Sequence, residues 1–500
     1  MTDVPRSPRR PLLWLAAFVV IAVTGLVLLR RPLVAAAISS TLRMNGAGDV
    51  RLDVTDASPW FVEVKDLGFK VRTQRFDAKR VTVSRSRWWQ PSLGAVRIEG
   101  AKVPVTLDGS DTNPWAWSNY AGSEPVVAPA ELKIPAEQIS LDGTLELRVA
   151  GQPAEDLTIK FEAKLGENFR WSGTVQARAP GLAADVAAEF DYPKQTLQFQ
   201  LTRSEIDLQR WQGFIQQLVV LPGGKWDLAG ILTVTAAGTY AEDKLAVNGR
   251  VQLRDGNFYF AERNVTASGT TADFTFTDFD RVVSEPGTVR VAKLDAGEIK
   301  VTNLDLELAF AGPEKIAVSR ASLEALGGKL SAEPFTFYPL KNELDATLVV
   351  EGLVVEQIMA LTKDVPAKAM GFVDGWLPIR IDGAGLRFGS GWLELKRGAY
   401  AEVRFNAAGL LTNGVSPKHA SYPTLKKVES GLLQLKLTEL RLDIRPPGAP
   451  PGRSATLRLK GEPVDPQVKA PVNLDLNVNG PLEQLLNLGM DGRIKFPTGR

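Results

Sequence analysis

The stretch Met370–Phe405, MGFVDGWLPIRIDGAGLRFGSGWLELKRGAYAEVRF, decides how the rest of the chain is read. Apolar residues stand at every second position, first Leu377, Ile379 and Ile381, then Leu393 and Leu395 around Glu394. Gly371, Gly375, Asp382-Gly383, Gly389, Gly391 and Gly398 interrupt them. A period of two puts alternate side chains on opposite faces of a strand, one greasy and one wet, and glycine supplies the positive φ of tight connections. The stretch therefore reads as strand, turn, strand, and it carries no catalytic group.

Working outward, the alternation recurs. Leu145, Leu147 and Val149 alternate with Glu146 and Arg148; Leu197, Phe199 and Leu201 with Gln198 and Gln200; Leu304, Leu306 and Leu308 with Asp305 and Glu307. Leu433, Leu435 and Leu437 follow, then Leu457 and Leu459, then Leu474, Leu476 and Val478. Strands with one apolar face separated by turn residues predict an antiparallel sheet shielded on one side, so the fold class is mainly β. Helical spacing is confined to Asp207–Leu218, Val354–Leu361 and Pro481–Leu488, each following a strand. Thr112–Ala130, rich in Pro and Ser, reads as a loop or subdomain boundary, and Pro446–Gly452 (PPGAPPG) as a long tip between two strands.

At the N-terminus, Pro11–Leu29 is an uncharged apolar run of about the length a helix needs to cross a ~30 Å hydrocarbon core, with Trp14 placed as an interfacial aromatic. The competing reading is a cleaved signal peptide with Ala35–Ala37 as its small-residue site. The run exceeds a usual signal h-region and Arg30-Arg31-Pro32 intervene, so the expectation is an uncleaved transmembrane helix. Arginines flank it on both sides, which leaves orientation open.

Composition excludes several function classes. Lys+Arg number 59 and Asp+Glu 57, interspersed along the chain, which gives no basic footprint for nucleic acid. With no cysteine, disulfides, thiolate chemistry and cysteine-ligated metals are excluded, and the single His419, in the polar SPKHAS segment, reads as a solvated loop residue. Nucleophile-elbow, phosphate-loop and two-histidine zinc motifs are absent from the sequence, and Gly383–Gly389 has the wrong spacing for a dinucleotide loop. No cofactor, metal site or enzymatic activity is expected. The Trp88-Trp89 pair, beside Arg85 and Arg87, suits either a bilayer contact or core packing.

Gly371–Ile381 and Leu393–Tyr400 resemble a pattern found late in the YdbH branch of the AsmA-like bridge-type phospholipid transport proteins. Asn248–Phe260 (NGRVQLRDGNFYF), Gly327–Phe335 (GGKLSAEPF) and Leu457–Gly489 are similar to other stretches of that family, in the same order, and the first third is more generally AsmA-like. The resemblance implies a cytoplasmic tail and transmembrane anchor over 1–31 and a membrane-proximal AsmA-like β segment over 32–125. A middle β-groove segment over 126–220, a YdbH-like C-terminal β-groove over 221–490 and a tail over 491–500 would follow.

The implied shape is an elongated, curved β-sheet groove, a β-taco with a few short helices, in a single-pass inner-membrane protein whose bulk lies in the periplasm. The implied partners are phospholipids, the inner membrane and a small outer-membrane lipoprotein at the C-terminal end. Alternation nominates Leu145, Leu147, Val149, Leu304, Leu306, Leu308, Leu393, Leu395, Leu433, Leu435, Leu437, Leu474, Leu476 and Val478 as the lipid-groove lining. The alternative is a membrane-anchored envelope scaffold with a sealed β core; the two differ in whether the apolar face is open along the body.

Overall fold

The computed structural model describes residues 29–479, except for 45, 72–73, 86–92, 108–135, 150–151, 219–225, 243, 262–263, 298, 342, 361–366, 383–384, 406–408, 410–411, 447–452, 467 and 469. The chain is mainly β, with about 70% of the described residues in strands, in one mixed sheet with a few short helices. It divides into two compact units: residues up to Ile206 with Gly213–Val219 and Thr235–Leu245, and Asp207–Gln212 with Val220–Val234 and Ala246–Arg500.

In the first unit a helix over residues 29–44, α1, precedes β1 (Ala47–Ala57), β2 (Phe61–Val71), β3 (Gln74–Ser84), β4 (Leu93–Leu107), β5 (Ala136–Val149), β6 (Glu155–Leu165), β7 (Arg170–Ala179), β8 (Leu182–Asp191) and β9 (Thr196–Asp207). Each strand pairs with the next. All these pairs are antiparallel except β4 with β5, which run parallel from Leu93↔Ala136 to Leu107↔Val149. That parallel step departs from the expected all-antiparallel pattern. Parallel neighbours need a crossover of a dozen or more residues to bring the chain back to the starting edge, and 108–135 are long enough to supply it. The expected Thr112–Ala130 loop falls within that span, outside the described residues.

The helix predicted over Asp207–Leu218 is α2 (Leu208–Leu218). Asp207 caps it, its Oδ1 accepting the backbone N–H of Gln209 at 3.0 Å and of Arg210 at 3.2 Å. Leu208, Trp211 and Phe214, at i, i+3 and i+6, form its buried side.

After β10 (Trp226–Ala241), the second unit carries β11 (Lys244–Phe260), β12 (Val265–Asp278), β13 (Val283–Ser284), β14 (Gly287–Ala296), β15 (Ile299–Phe310), β16 (Ile316–Ala325), β17 (Gly328–Ala332), β18 (Phe335–Tyr338) and β19 (Glu343–Val354). Helix α3 (Val355–Ala360) leads to β20 (Ala367–Met370), β21 (Phe372–Asp382), β22 (Gly385–Phe388), β23 (Gly391–Leu395) and β24 (Glu402–Phe405). Helix α4 (Tyr422–Leu433) leads to β25 (Gln434–Ile444), β26 (Arg453–Pro463) and β27 (Val472–Asn479). The main ladder runs β11, β12, β14, β15, β16, then β17 and β18 sharing β19, then β21, β22 with β23, β25, β26 and β27, all antiparallel. β20 and β24 form a side ribbon on the N-terminal half of β25.

Within Met370–Phe405, β21 thus pairs antiparallel with β22 and with β23. Gly375 is buried directly opposite Leu393, where an added Cβ would stand 2.4 Å from the Trp392 carbonyl oxygen; the backbones can approach only without a side chain. Gly371, between β20 and β21, has φ +143°, which L side chains rarely adopt.

Several expectations are corrected or lie outside the described residues. Leu433 is the last residue of α4 and not a strand residue: Tyr422–Leu433 takes the helix, with Pro423 in its first turn, and strand pairing begins at Gln434. The alternating Leu433–Leu437 leucines cannot by themselves mark where a helix hands over to a strand. The expected helix at Pro481–Leu488, the Trp88-Trp89 pair and all but the last residue of Pro11–Leu29 lie outside the described residues. Among the described residues no helix is long and apolar enough to cross a membrane. His419 is exposed, its Nδ1 2.7 Å from the Ser421 Oγ.

Candidate functional site

Cross-strand register assembles the alternating residues into transverse rows. In the first unit one row runs Val54, Val64, Val81, Ile98, Leu141, Phe161, Val175, Val186, Leu201, one residue from each strand β1 to β9. Its neighbour runs Ala57, Val62, Val83, Val96, Ile139, Ala163, Gly173, Ala188, Phe199. On the opposite face the row Ser140, Glu162, Thr174, Ala187, Gln200 is polar or small. Side-chain direction alternates strictly along a strand, so this register gives the sheet one apolar face.

The second unit repeats the arrangement. One row runs Leu253, Ala272, Val289, Leu306, Ala321, Ala332, Leu348, Leu377. The adjacent row runs Leu323, Leu330, Val350, Gly375, Leu393, Leu442, Leu457, Leu476. The reverse face carries Gln252, Asp273, Thr288, Glu307 and Arg320 in register. There Arg250 Nε donates to Asp273 Oδ1 at 2.7 Å, and this bond holds the Asp273 carboxyl below its usual range. Likewise Arg441 reaches Glu394 at 2.9 Å and Asp443 at 2.8 Å.

The state of the apolar face separates the two readings of the sequence. In a closed sandwich the inner residues of both sheets interdigitate and lose nearly all contact with water. Here every residue of the row Leu253 to Leu377 is only half-buried, and so is Val81 to Leu201 in the first unit. Leu476 is 44% exposed. The face is apolar, in register and incompletely covered.

It is sealed in places. Val54 and Val64 are buried where Val34, Ala35 and Ile38 of α1 pack on them. Val350, Leu353 and Val373 close under Ile358 and Met359 of α3 and Ala369 of β20. Ala401, Val403, Leu435, Leu437 and Leu459 form a dry cluster under the β20–β24 ribbon, where Leu435 is fully buried. On the other flank of the second unit, Phe274, Phe276, Phe279 and Phe310 pack in stacked, tilted and edge-to-face pairs with centroids 4.8 to 6.3 Å apart and border the half-buried row with an aromatic ridge.

Of the residues nominated from alternation, Leu145, Leu147, Leu304, Leu306, Leu393, Leu395 and Leu474 are half-buried and Leu476 exposed. Val149 and Leu308 are buried, and Leu435 and Leu437 belong to the dry cluster. Leu433 is helical, and the side chain of Val478 lies outside the described residues. Sequence reasoning missed much of the rows themselves, above all β8, LAADVAAEFD, where alanines stand on both faces and blur the contrast between them. The surviving signal was Val186 and Phe190 at even spacing. Among the described residues no group of acidic residues or histidine could hold a metal ion.

An amphipathic sheet whose apolar face stays partly open defines a protein built to keep apolar surface beside water. The model of the YdbH-like family, intermembrane phospholipid transport protein YdbH, matches residues 31–398, and the chain belongs to this family. No curated protein and no solved structure matches it. The family implies intermembrane phospholipid transport and an envelope setting, with phospholipid as cargo, and it is a transport family with no known enzymatic role. The match ends at Gly398's neighbourhood, so β24 to β27, α4 and the dry cluster around Leu435 lie beyond it.

Proposed function

We propose that the chain is held in the inner membrane by Pro11–Leu29, with its body in the periplasm, and conducts phospholipids between inner and outer membranes along the apolar face of its sheet. The observation that carries this is the half-burial of the entire row Leu253 to Leu377. Each methylene withheld from water is worth ~0.8 kcal/mol, so acyl chains lying on this face would cover its remaining exposed area and avoid their own hydration at every step. Head groups would stay in solvent. In this reading the sheet curves into a β-taco groove lined by Leu145, Leu147, Leu304, Leu306, Leu393, Leu395, Leu474 and Leu476, and a small outer-membrane lipoprotein joins its C-terminal end.

The scaffold reading draws on a different observation, the dry cluster around Leu435. Photo-crosslinking in cells separates the two, with probes at Leu147, Leu306, Leu395 and Leu476 and at the wet-face neighbours Glu146, Glu307, Glu394 and Asp475. Lipid adducts at the leucines and few at the acidic positions are the expected result. Adducts at none of the leucines would leave the scaffold.

A further inference from the structure

Helix α1 has two apolar sides, and the sheet uses only one of them. At about 100° per residue, Val34, Ala35, Ile38 and Leu42 form one stripe; the first three pack on the Val54, Ala57, Val64 cluster. The opposite stripe is Leu29, Leu33, Ala36, Ser40 and Met44. A helix packed on a sheet normally turns charge to water on its outer side. Here Leu29 is 56% exposed, Leu33 59% and Met44 77%. Residues 29–44 also contain Arg30, Arg31 and Arg43 and no acidic residue at all. Arg30 and Arg43 flank the exposed stripe on its two sides. In sequence, α1 follows the uncharged run that begins at Pro11.

We propose that α1 lies in the plane of an anionic phospholipid surface, with the Leu29, Leu33, Met44 stripe sunk at the headgroup boundary and Arg30 and Arg43 on lipid phosphates. An exposed apolar stripe bordered by cations is the pattern of an interfacial helix, in which buried area and electrostatic attraction add. The same helix then grips the sheet with its other side and sets β1–β3 one helix diameter, about 10 Å, from the bilayer. It covers Val54 and Val64, so the first half-buried positions of the row beyond it are Val81 and Ile98. A lipid leaving the bilayer would meet the track there. This placement rests on the membrane-anchored reading and adds to it the orientation of α1.

The absence of cysteine makes single labels unique. The test uses the full chain in vesicles of phosphatidylcholine with phosphatidylglycerol, carrying an environment-sensitive fluorophore at Leu33→Cys, Met44→Cys or, as a wet-face control, Glu162→Cys, with quenchers on the acyl chains. Positions 33 and 44 are ~16 Å apart along the axis, so an upright helix cannot put both at the boundary. The expected result is blue-shifted, quenched emission at both 33 and 44 and neither effect at 162, with quenching reduced when Arg30 and Arg43 are both changed to Gln. Quenching at 33 alone, or at neither, would overturn the proposal. If that happened while probes at Leu306 still captured lipid, only the docking of α1 would fall; in-plane quenching without adducts at Leu306 would instead remove the transport reading.

Discussion

Leu306 of β15 stands directly opposite Val289 of β14, and although both face the apolar side of the sheet, both remain half-buried. A pair in a finished core would be closed. Leu306→Asp should therefore cost little stability, about 1 kcal/mol, because the new carboxylate reaches water without leaving its strand. The same charge would interrupt a track for acyl chains. The expected outcome for Leu306→Asp with Leu476→Asp is a folded, membrane-localised protein with lipid transfer abolished in a reconstituted assay; normal transfer would remove these residues from the track.

Leu435 gives the contrast. It is fully buried among Ala401, Val403, Leu437 and Leu459. Leu435→Ala should destabilise by 2–5 kcal/mol, the usual range for a cavity in a closed core. Leu348→Ala, half-buried in the open row, should lose roughly half as much. Denaturant midpoints of the two variants check this, and equal losses would mean that the open row is as closed as the cluster.

How far the sequence carried can be judged at particular strands. Period-two leucines mark β5, β15, β25 and β27, because between those leucines each wet-face position holds a charged or amide side chain and the contrast is complete. The parallel β4–β5 pairing was not legible: strand direction is set by where the connection returns, and alternation is the same in either direction. Helix α4 was missed because its leucines merge with those of β25 at Leu433. Openness of the face was equally hidden. Leu306 and Leu435 sit in the same local pattern, and only the α3 and β20–β24 elements, which arrive from elsewhere in the chain, decide which is covered.

Ala321 and Ala332 face one another between Leu306 and Leu348, and both are half-buried. Small side chains there leave room over the strands. Ala321→Trp should be tolerated, since the ring can lie in space that is not packed, while it narrows the same path that lipid would use. The prediction is an unchanged melting temperature with transfer lowered severalfold. A large drop in melting temperature would show that the space above Ala321 is filled by the protein itself.

Glu402 tests the dry cluster from its polar edge. Its carboxylate is almost fully buried and accepts hydrogen bonds from the Tyr400 hydroxyl at 2.6 Å, from Arg404 Nε at 2.7 Å and from Gln434 Nε2. Those bonds, with the Tyr400 hydroxyl foremost and then Arg404, hold its pKa below the usual carboxylate value and push the Tyr400 phenol up. Because the folded pKa is depressed, the unfolded chain takes up the proton first as pH falls. The contribution is complete above the ordinary glutamate pKa, about 4.3, and is lost as pH drops through the folded value. Glu402→Gln leaves the Tyr400 hydroxyl and the Gln434 amide competing for a weaker acceptor, at a cost of about 1–3 kcal/mol near neutral pH. The melting temperatures of wild type and Glu402→Gln should differ clearly at neutral pH and converge at acid pH. A gap that widens on acidification would reverse the sign and exclude the ionised carboxylate as what ties β24 to β25.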